Sequence, residues 1–184
     1  MVLASGAGTT LQALLDDVQL RPLIHAVGSD QPAAAALGRA RSAGVQTFLV
    51  PLNAYADRES WNRALEKAVA EHEPDLVVLA GFMRVLDAEF VRRFRIVNTH
   101  PALLPRFPGA HAVRDALTAR VRTTGVTVHW VDAGVDTGPV IAQAEVPVRP
   151  DDDEDSLRAR IQQIEKPLFV HTLRTLCEEE GLRR

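Results

Sequence analysis

Asn98 and His100 stand two positions apart, after the run Arg95-Ile96-Val97 and directly before Pro101. A carboxamide N–H can hold an oxyanion as it develops, and an imidazole can carry a proton between reacting atoms. Short apolar runs read as buried strands, and strand side chains alternate between faces, so both residues share a face if the strand continues through them. The carboxyl ends of strands are where open parallel sheets bind their ligands. The same residues also suit a polar loop, with Asn98 capping backbone groups and His100 satisfied and half-buried. The rest of the chain has to decide between the two.

A second stretch of chemical interest opens the chain. Val2-Leu3-Ala4 reads as a short strand, Ser5-Gly6-Ala7-Gly8-Thr9-Thr10 as a glycine loop, and Leu11, Leu14, Leu15 and Val18 as one face of a helix. Free N–H groups and the helix dipole at such a junction favour phosphate. Thr9 and Thr10 either cap the helix or offer hydroxyls to that phosphate. No Gly-Lys-Ser/Thr follows, so this is not a Walker loop, and Leu11 stands where a dinucleotide fingerprint has its third glycine. A single phosphate is the better fit. Asp30, at the end of the next strand, stands where a ribose-binding acid would sit and is more simply the cap of the following helix.

These groups need a frame. Leu23–Gly28, Thr47–Val50 and Asp75–Ala80 read as further strands. Between them lie an alanine-rich helix over 33–43 closed by Gly44 and a helix capped by Asp57 with Trp61, Ala64, Leu65 and Ala68 on its apolar face. Arg58, at the first turn of the latter, gains nothing from the helix dipole, and is either a surface arginine or a ligand contact. Asp87 caps a short helix through Phe94. Strands alternating with helices imply right-handed crossovers and a parallel sheet. In the usual order the first and fourth strands meet at the switch point, so the glycine loop and Gly81–Leu86 flank one crevice beside Asn98 and His100.

Beyond Pro108-Gly109 come a helix over 112–120, a strand Thr124–Val131 and a returning strand Val140–Val148, joined by the long tip 132–138. Val126, Val128 and Trp130 fall on one face of the first strand, Thr127 and His129 on the other. A final helix begins at Asp155 or Ser156, with Leu157, Ile161, Ile164 and Leu168 on its stripe; Pro167 should kink or break it. The expected fold is α/β: a mostly parallel, Rossmann-like open sheet with helices on both faces, plus a C-terminal antiparallel strand pair and a final helix. One domain, 1–184, is expected, phosphate-binding over roughly 1–95 and catalytic over roughly 96–184.

Composition narrows the function classes. The 184 residues are 46% hydrophobic, enough for one substantial core. A net charge of −3 offers no overall basic footprint for nucleic acid. Cys177 is the single cysteine, which excludes an internal disulfide, fits a reducing cytosol and reads as a small apolar residue of the last helix. No apolar run approaches the ~20 residues of a membrane span, and Met1-Val2-Leu3 leads straight into the glycines rather than through a signal peptide. A cytoplasmic protein acting on small molecules, without membrane or nucleic-acid partners, is expected. Asp151–Asp155 reads as a solvated loop and helix start.

Four stretches together carry a resemblance: Ser5-Gly6-Ala7-Gly8-Thr9-Thr10-Leu11-Gln12-Ala13; Leu79-Ala80-Gly81-Phe82-Met83-Arg84-Val85-Leu86; Asn98-Thr99-His100-Pro101-Ala102-Leu103-Leu104-Pro105 with Pro108-Gly109; and Asp136-Thr137-Gly138-Pro139-Val140. In order and spacing the chain resembles the folate-dependent formyltransferases, most closely those that act on glycinamide ribonucleotide in purine synthesis. The resemblance implies formyl transfer from 10-formyltetrahydrofolate, as cosubstrate, to that primary amine. It implies a catalytic trio of Asn98, His100 and Asp136, and phosphate binding by Gly8, Thr9 and Thr10. It places Glu165 on the ribonucleotide, and Arg58, Met83, Arg84, Val85 and Leu86 at the folate. A carboxylate beside an imidazole stabilises imidazolium, which is the part Asp136 would play; alone, an aspartate in this Gly/Asp turn is more often a turn former. No metal is implied, and no Cys/His cluster offers a site. A homodimer is left open. His129 can touch the site or support it, and His111 reads as a loop residue.

Other readings fit parts of this pattern. A 10-formyltetrahydrofolate hydrolase shares the core but usually carries an N-terminal regulatory domain. Methionyl-tRNA and sugar-nucleotide N-formyltransferases share the trio; the former usually adds a C-terminal domain and basic surface, for which 184 residues leave no expected room. A nucleotide-binding regulatory module on the same scaffold need not keep all three catalytic residues.

Overall fold

Seven strands form one sheet in the order β3-β2-β1-β4-β5-β6-β7 in the computed structural model, which describes residues 1–179 and Gly181. The strands are β1 (Val2–Leu3), β2 (Ala26–Ser29), β3 (Gln46–Leu49), β4 (Val77–Leu79), β5 (Ile96–His100), β6 (Thr123–Trp130) and β7 (Val140–Pro147). The first five pair in parallel; β6 runs antiparallel to β5, and β7 antiparallel to β6. The helices are α1 (Thr9–Asp16), α2 (Ala35–Ser42), α3 (Arg58–Ala70), α4 (Ala88–Arg93), α5 (Ala112–Thr118) and α6 (Glu154–Glu179). This is the expected α/β architecture, with β1 and β4 adjacent at the switch point.

Strand alternation sorts the core into layers. Val2, Val27, Val78 and Val97 face α1, α2 and the C-terminal half of α6, meeting Leu11, Leu14, Leu37, Ala40, Phe169 and Leu173. Leu3, Ala26, Val77, Leu79 and Ile96 face α3 and α4, meeting Trp61, Leu65, Val69 and Phe90. A third cluster joins Val113, Val126, Val146, Leu157 and Ile161 beneath α5 and the first turns of α6.

Several sequence expectations shift at their edges. Leu23 lies in a 3-10 turn, Arg21–Leu23, outside β2. Val18 falls beyond the end of α1 and is exposed, because Asp17 turns to extended backbone and its carboxylate takes Gln19 N–H and Leu20 N–H. Asp30 does not cap α2, whose first flanking residue is Ala34, and neither Thr9 nor Thr10 caps α1. Gly8 holds that position with φ 69°, a left-handed conformation, and a Cβ there would lie 2.7 Å from Ala36 Cα. Asp57 and Asp87 do cap α3 and α4 through Ser60 N–H and Phe90 N–H.

The last helix departs most. It runs unbroken through Pro167. The missing donor removes one intrahelical bond, while Leu157 and Ile161 before the proline, and Phe169, Leu173 and Leu176 after it, anchor both halves. Steps of four from Leu157 pass through Ile161 to Glu165 rather than to Ile164, which is exposed. The acidic run is not merely solvated either. Asp152 accepts a bidentate pair from Arg160 at 2.6 and 2.7 Å, which holds its carboxyl well below the usual range. Phe169, on the inner face of α6, is fully buried. Phe169→Ala is expected to cost about 3–5 kcal/mol, read as a lower urea midpoint at unchanged m-value.

Candidate active site

Strand β5 continues through Asn98 to His100, so both side chains share the face of Ile96, as the spacing required. The antiparallel register then sets His129 of β6 directly opposite Asn98, and Thr127 opposite His100. The tip between β6 and β7 folds back over this row and delivers Asp136. Its φ of 54° is left-handed, a conformation aspartate tolerates. Gly138 permits the return: a Cβ there would lie 1.8 Å from the Trp130 carbonyl oxygen.

The four side chains form one network. His100 Nε2 lies 2.7 Å from the Phe107 carbonyl oxygen, which can only accept, so Nε2 carries a hydrogen. Its Nδ1 faces Asp136 Oδ2 at 3.2 Å. Asp136 Oδ2 also accepts from Gly109 N–H at 2.8 Å. A proton arriving at His100 Nδ1 therefore lands against a carboxylate already fixed in place. On His129, Nδ1 lies 2.8 Å from the Trp130 carbonyl oxygen and so donates to it. Its Nε2 stands between Asn98 Nδ2 at 3.2 Å and Asp136 Oδ1 at 3.5 Å. The neutral ring accepts from Asn98 there, and the charged ring would donate to Asp136. With one Asn98 N–H on His129, the other has no acceptor among the described residues and can meet an oxyanion.

Burial pushes the His100 imidazole below its ordinary value of 6.5, against the opposing pull of Asp136 and the Phe107 carbonyl. Burial pushes the Asp136 carboxyl up, but the adjoining His129 ring, the Gly109 N–H bond and the nearby His100 outweigh it and hold the group down. Neutral His100 and ionised Asp136 are the resting pair at neutral pH. The acid limb of kcat/KM assigned to His100 should therefore fall below pH 6.5, with activity rising as pH increases through it. Asp136→Asn removes a charge that raises His100, so its limb should move to lower pH; a limb unmoved or displaced upward would refute the pairing.

Around this centre lie the other sequence candidates. Thr10 Oγ1 donates to Glu165 Oε1 at 3.0 Å, so the first turn of α1 and the middle of α6 share one corner. Burial raises the Glu165 carboxyl above its ordinary value. Gly8, Thr9 and Thr10 begin α1 at the carboxyl end of β1, and Ser5 N–H bonds to Gly81 O at 3.0 Å, so the glycine loop and 81–86 meet as expected. Arg58 lies with its guanidinium carbon 4.5 Å from the Trp61 ring centroid and donates to the Val85 carbonyl. Met83 and Val85 are exposed apolar residues, while Leu86 is buried and Arg84 is ion-paired to Asp30. His111 is an exposed residue at the start of α5 without a capping bond, as its loop reading implied.

Two supports escaped the sequence reading. The Phe107 carbonyl is a backbone group and leaves no residue signal. Thr127 donates to Ala102 O at 2.6 Å and accepts from Leu104 N–H at 3.0 Å, fastening the loop after His100 to β6. Gln143 of β7 donates to the same hydroxyl at 2.8 Å. The alternation of Thr127 with His129 on one face of β6 was its only trace in the sequence.

Among the described residues no group of three His, Cys, Asp or Glu is placed to hold a metal ion, and no helix is long and apolar enough to cross a membrane. Residues 1–173 match the family described as formyl transferase. A phosphoribosylglycinamide formyltransferase of Mycobacterium tuberculosis is 50% identical over 183 residues, covering 96% of this chain and 84% of the relative. One from Escherichia coli K12 is 41% identical over 174 residues, covering 92% and 82%. The crystal structure of glycinamide ribonucleotide transformylase 1 from Symbiobacterium toebii superposes with a TM-score of 0.91 at 42% identity, covering 97% of this chain and 86% of that one. The chain belongs to the formyl transferase family of enzymes.

Proposed function

We propose that the protein transfers the formyl group of 10-formyltetrahydrofolate to the amine of N1-(5-phospho-D-ribosyl)glycinamide, releasing tetrahydrofolate. The convergence of Asn98, His100, His129 and Asp136 beside a glycine loop that opens a helix is the observation that carries this reading. The relatives' activity agrees with it.

In this reading the ribonucleotide phosphate rests on the N–H groups at Gly8, Thr9 and Thr10, where the start of α1 favours an anion. Glu165, held by Thr10, faces the ribosyl-glycinamide portion. The folate lies along 83–86, with Arg58 at its outer end. The amine attacks the formyl carbon, forming a C–N bond and a tetrahedral oxyanion that takes the free N–H of Asn98. His100 receives the proton leaving the amine at Nδ1, where Asp136 stabilises the imidazolium. The proton is then returned to N10 of the folate as its bond to the formyl carbon breaks, so charge and atoms balance without redox chemistry. Residues 1–184 act as one catalytic domain, with the phosphate site in the first half and the proton-transfer groups in the second. The partners are small molecules.

The test follows tetrahydrofolate release by absorbance, with and without glycinamide ribonucleotide. Release that requires the ribonucleotide establishes reaction and acceptor together. Release without it replaces transfer by hydrolysis, and release only with an amino-sugar nucleotide replaces the acceptor.

A further inference from the structure

Asp30 has no part in the chemistry above, yet its side chain is fully buried and its carboxylate takes three side-chain donors, two of them from distant segments of the chain. It follows the last residue of β2, at the same sheet end as the glycine loop. Oδ1 accepts from Ser5 Oγ at 2.5 Å. Oδ2 accepts from Arg84 Nε at 2.6 Å and from Gln31 Nε2 at 3.0 Å. Ser5 Oγ, its hydrogen committed to Asp30, in turn accepts from Met83 N–H at 2.9 Å. Despite burial, which opposes ionisation, these donors hold the Asp30 carboxyl below its ordinary value.

We infer that Asp30 is a positioning residue that sets the segment lining the folate site against the loop that binds the ribonucleotide. One oxygen reaches that segment through Ser5 and the Met83 amide, the other through the Arg84 side chain. This rests on the proposed reading of 83–86 as folate-lining.

A carboxylate alone offers an acceptor at both atoms together with the charge opposite Arg84. All three groups on Asp30 are donors, and a carboxylate is acceptor-only at both oxygens. Asparagine, almost the same shape, keeps one oxygen for Arg84 and Gln31 and turns its NH₂ to the Ser5 hydroxyl, which can accept it, but it removes the charge that holds Arg84. Because Ser5 N–H remains bonded to Gly81 O and Met83 N–H keeps the Ser5 hydroxyl, the backbone still meets at that point, and what is lost is the hold on Arg84. Gly8, whose position depends on the tight approach to Ala36, is untouched. The consequence is selective: folate binding suffers and phosphate binding does not.

Calorimetric titration of the whole protein with tetrahydrofolate and, separately, with glycinamide ribonucleotide tests this. In Asp30→Asn the tetrahydrofolate Kd should rise about ten-fold or more, as expected for loss of a charge-assisted hydrogen bond. The ribonucleotide Kd should stay within about two-fold, and kcat/KM for 10-formyltetrahydrofolate should fall in step with folate affinity. In an Arg84→Met background the same substitution should lose most of its effect, because one arm of the clamp is already gone. Ser5→Ala cuts the other arm while leaving the buried ion pair, so it reports even if Asp30→Asn does not fold; it too should weaken folate selectively. Equal weakening of both ligands would mean a general structural role, and unchanged folate binding in Ser5→Ala or a folded Asp30→Asn would mean no role; either overturns the inference. A wild type that binds no tetrahydrofolate removes the folate reading itself, and this inference with it. A wild type that binds while the variants bind equally well removes only the role of Asp30.

Discussion

His100→Ala is expected to lower kcat by about 10²–10⁴ while the protein stays folded. The ring is nearly fully buried, and both its nitrogens are engaged, by the Phe107 carbonyl and by Asp136. Alanine leaves Asp136 with its bond from Gly109 and its neighbour His129, so the carboxylate keeps partners. The loss therefore falls on the proton path rather than on substrate binding: KM for either substrate should change far less than kcat. Steady-state turnover with near-ultraviolet circular dichroism on the same samples separates the two. A variant with native spectrum and a kcat within ten-fold of wild type would remove His100 from the mechanism.

Asn98→Ala is the second large effect, about 10²–10³ in kcat. Its Nδ2 is pinned by His129 Nε2 in a half-buried position, which orients the remaining N–H before the reaction starts. Such a donor acts on the tetrahedral species more than on the planar formyl group, so ground-state affinity should be nearly preserved. The interaction with His129 gives a second readout. If Asn98 is oriented by that ring, His129→Ala should reproduce a large part of the Asn98→Ala loss, and the double variant should be much less than multiplicative. Multiplicative losses would show the two residues acting independently.

The parts of the site legible from the residues alone mostly depend on geometry within a single element, whereas Asp136 and Glu165 came only with the family resemblance. Asn98 and His100 share a face because a strand alternates, and nothing outside β5 is needed to say so. Gly8 ends a loop and opens a helix within a few residues. Asp57 and Asp87 cap the helices they precede. The unreadable parts need two or more elements in register. His129 becomes a partner of Asn98 only through the pairing of β5 with β6. Asp30 reads locally as a helix cap, and its true partners, Ser5 and Arg84, are 25 and 54 positions away. Ile164 shows a finer failure. A step of three and a step of four from Ile161 are equally helical on paper, and the packing of α6 chose the one that presents Glu165 to Thr10. The order of the sheet was legible because alternating strands and helices leave few topologies open.

The bond between Thr10 and Glu165 spans 155 positions, and the contact of Asp17 with Arg174 at the other end of α1 spans 157. The helix that the glycine loop opens is thus clasped at both ends by α6. During synthesis the parallel strands can assemble early, but the loop has no carboxylate partner until α6 arrives. A nascent chain cannot complete this corner before α6 has been made, and α6 serves as its closing stitch.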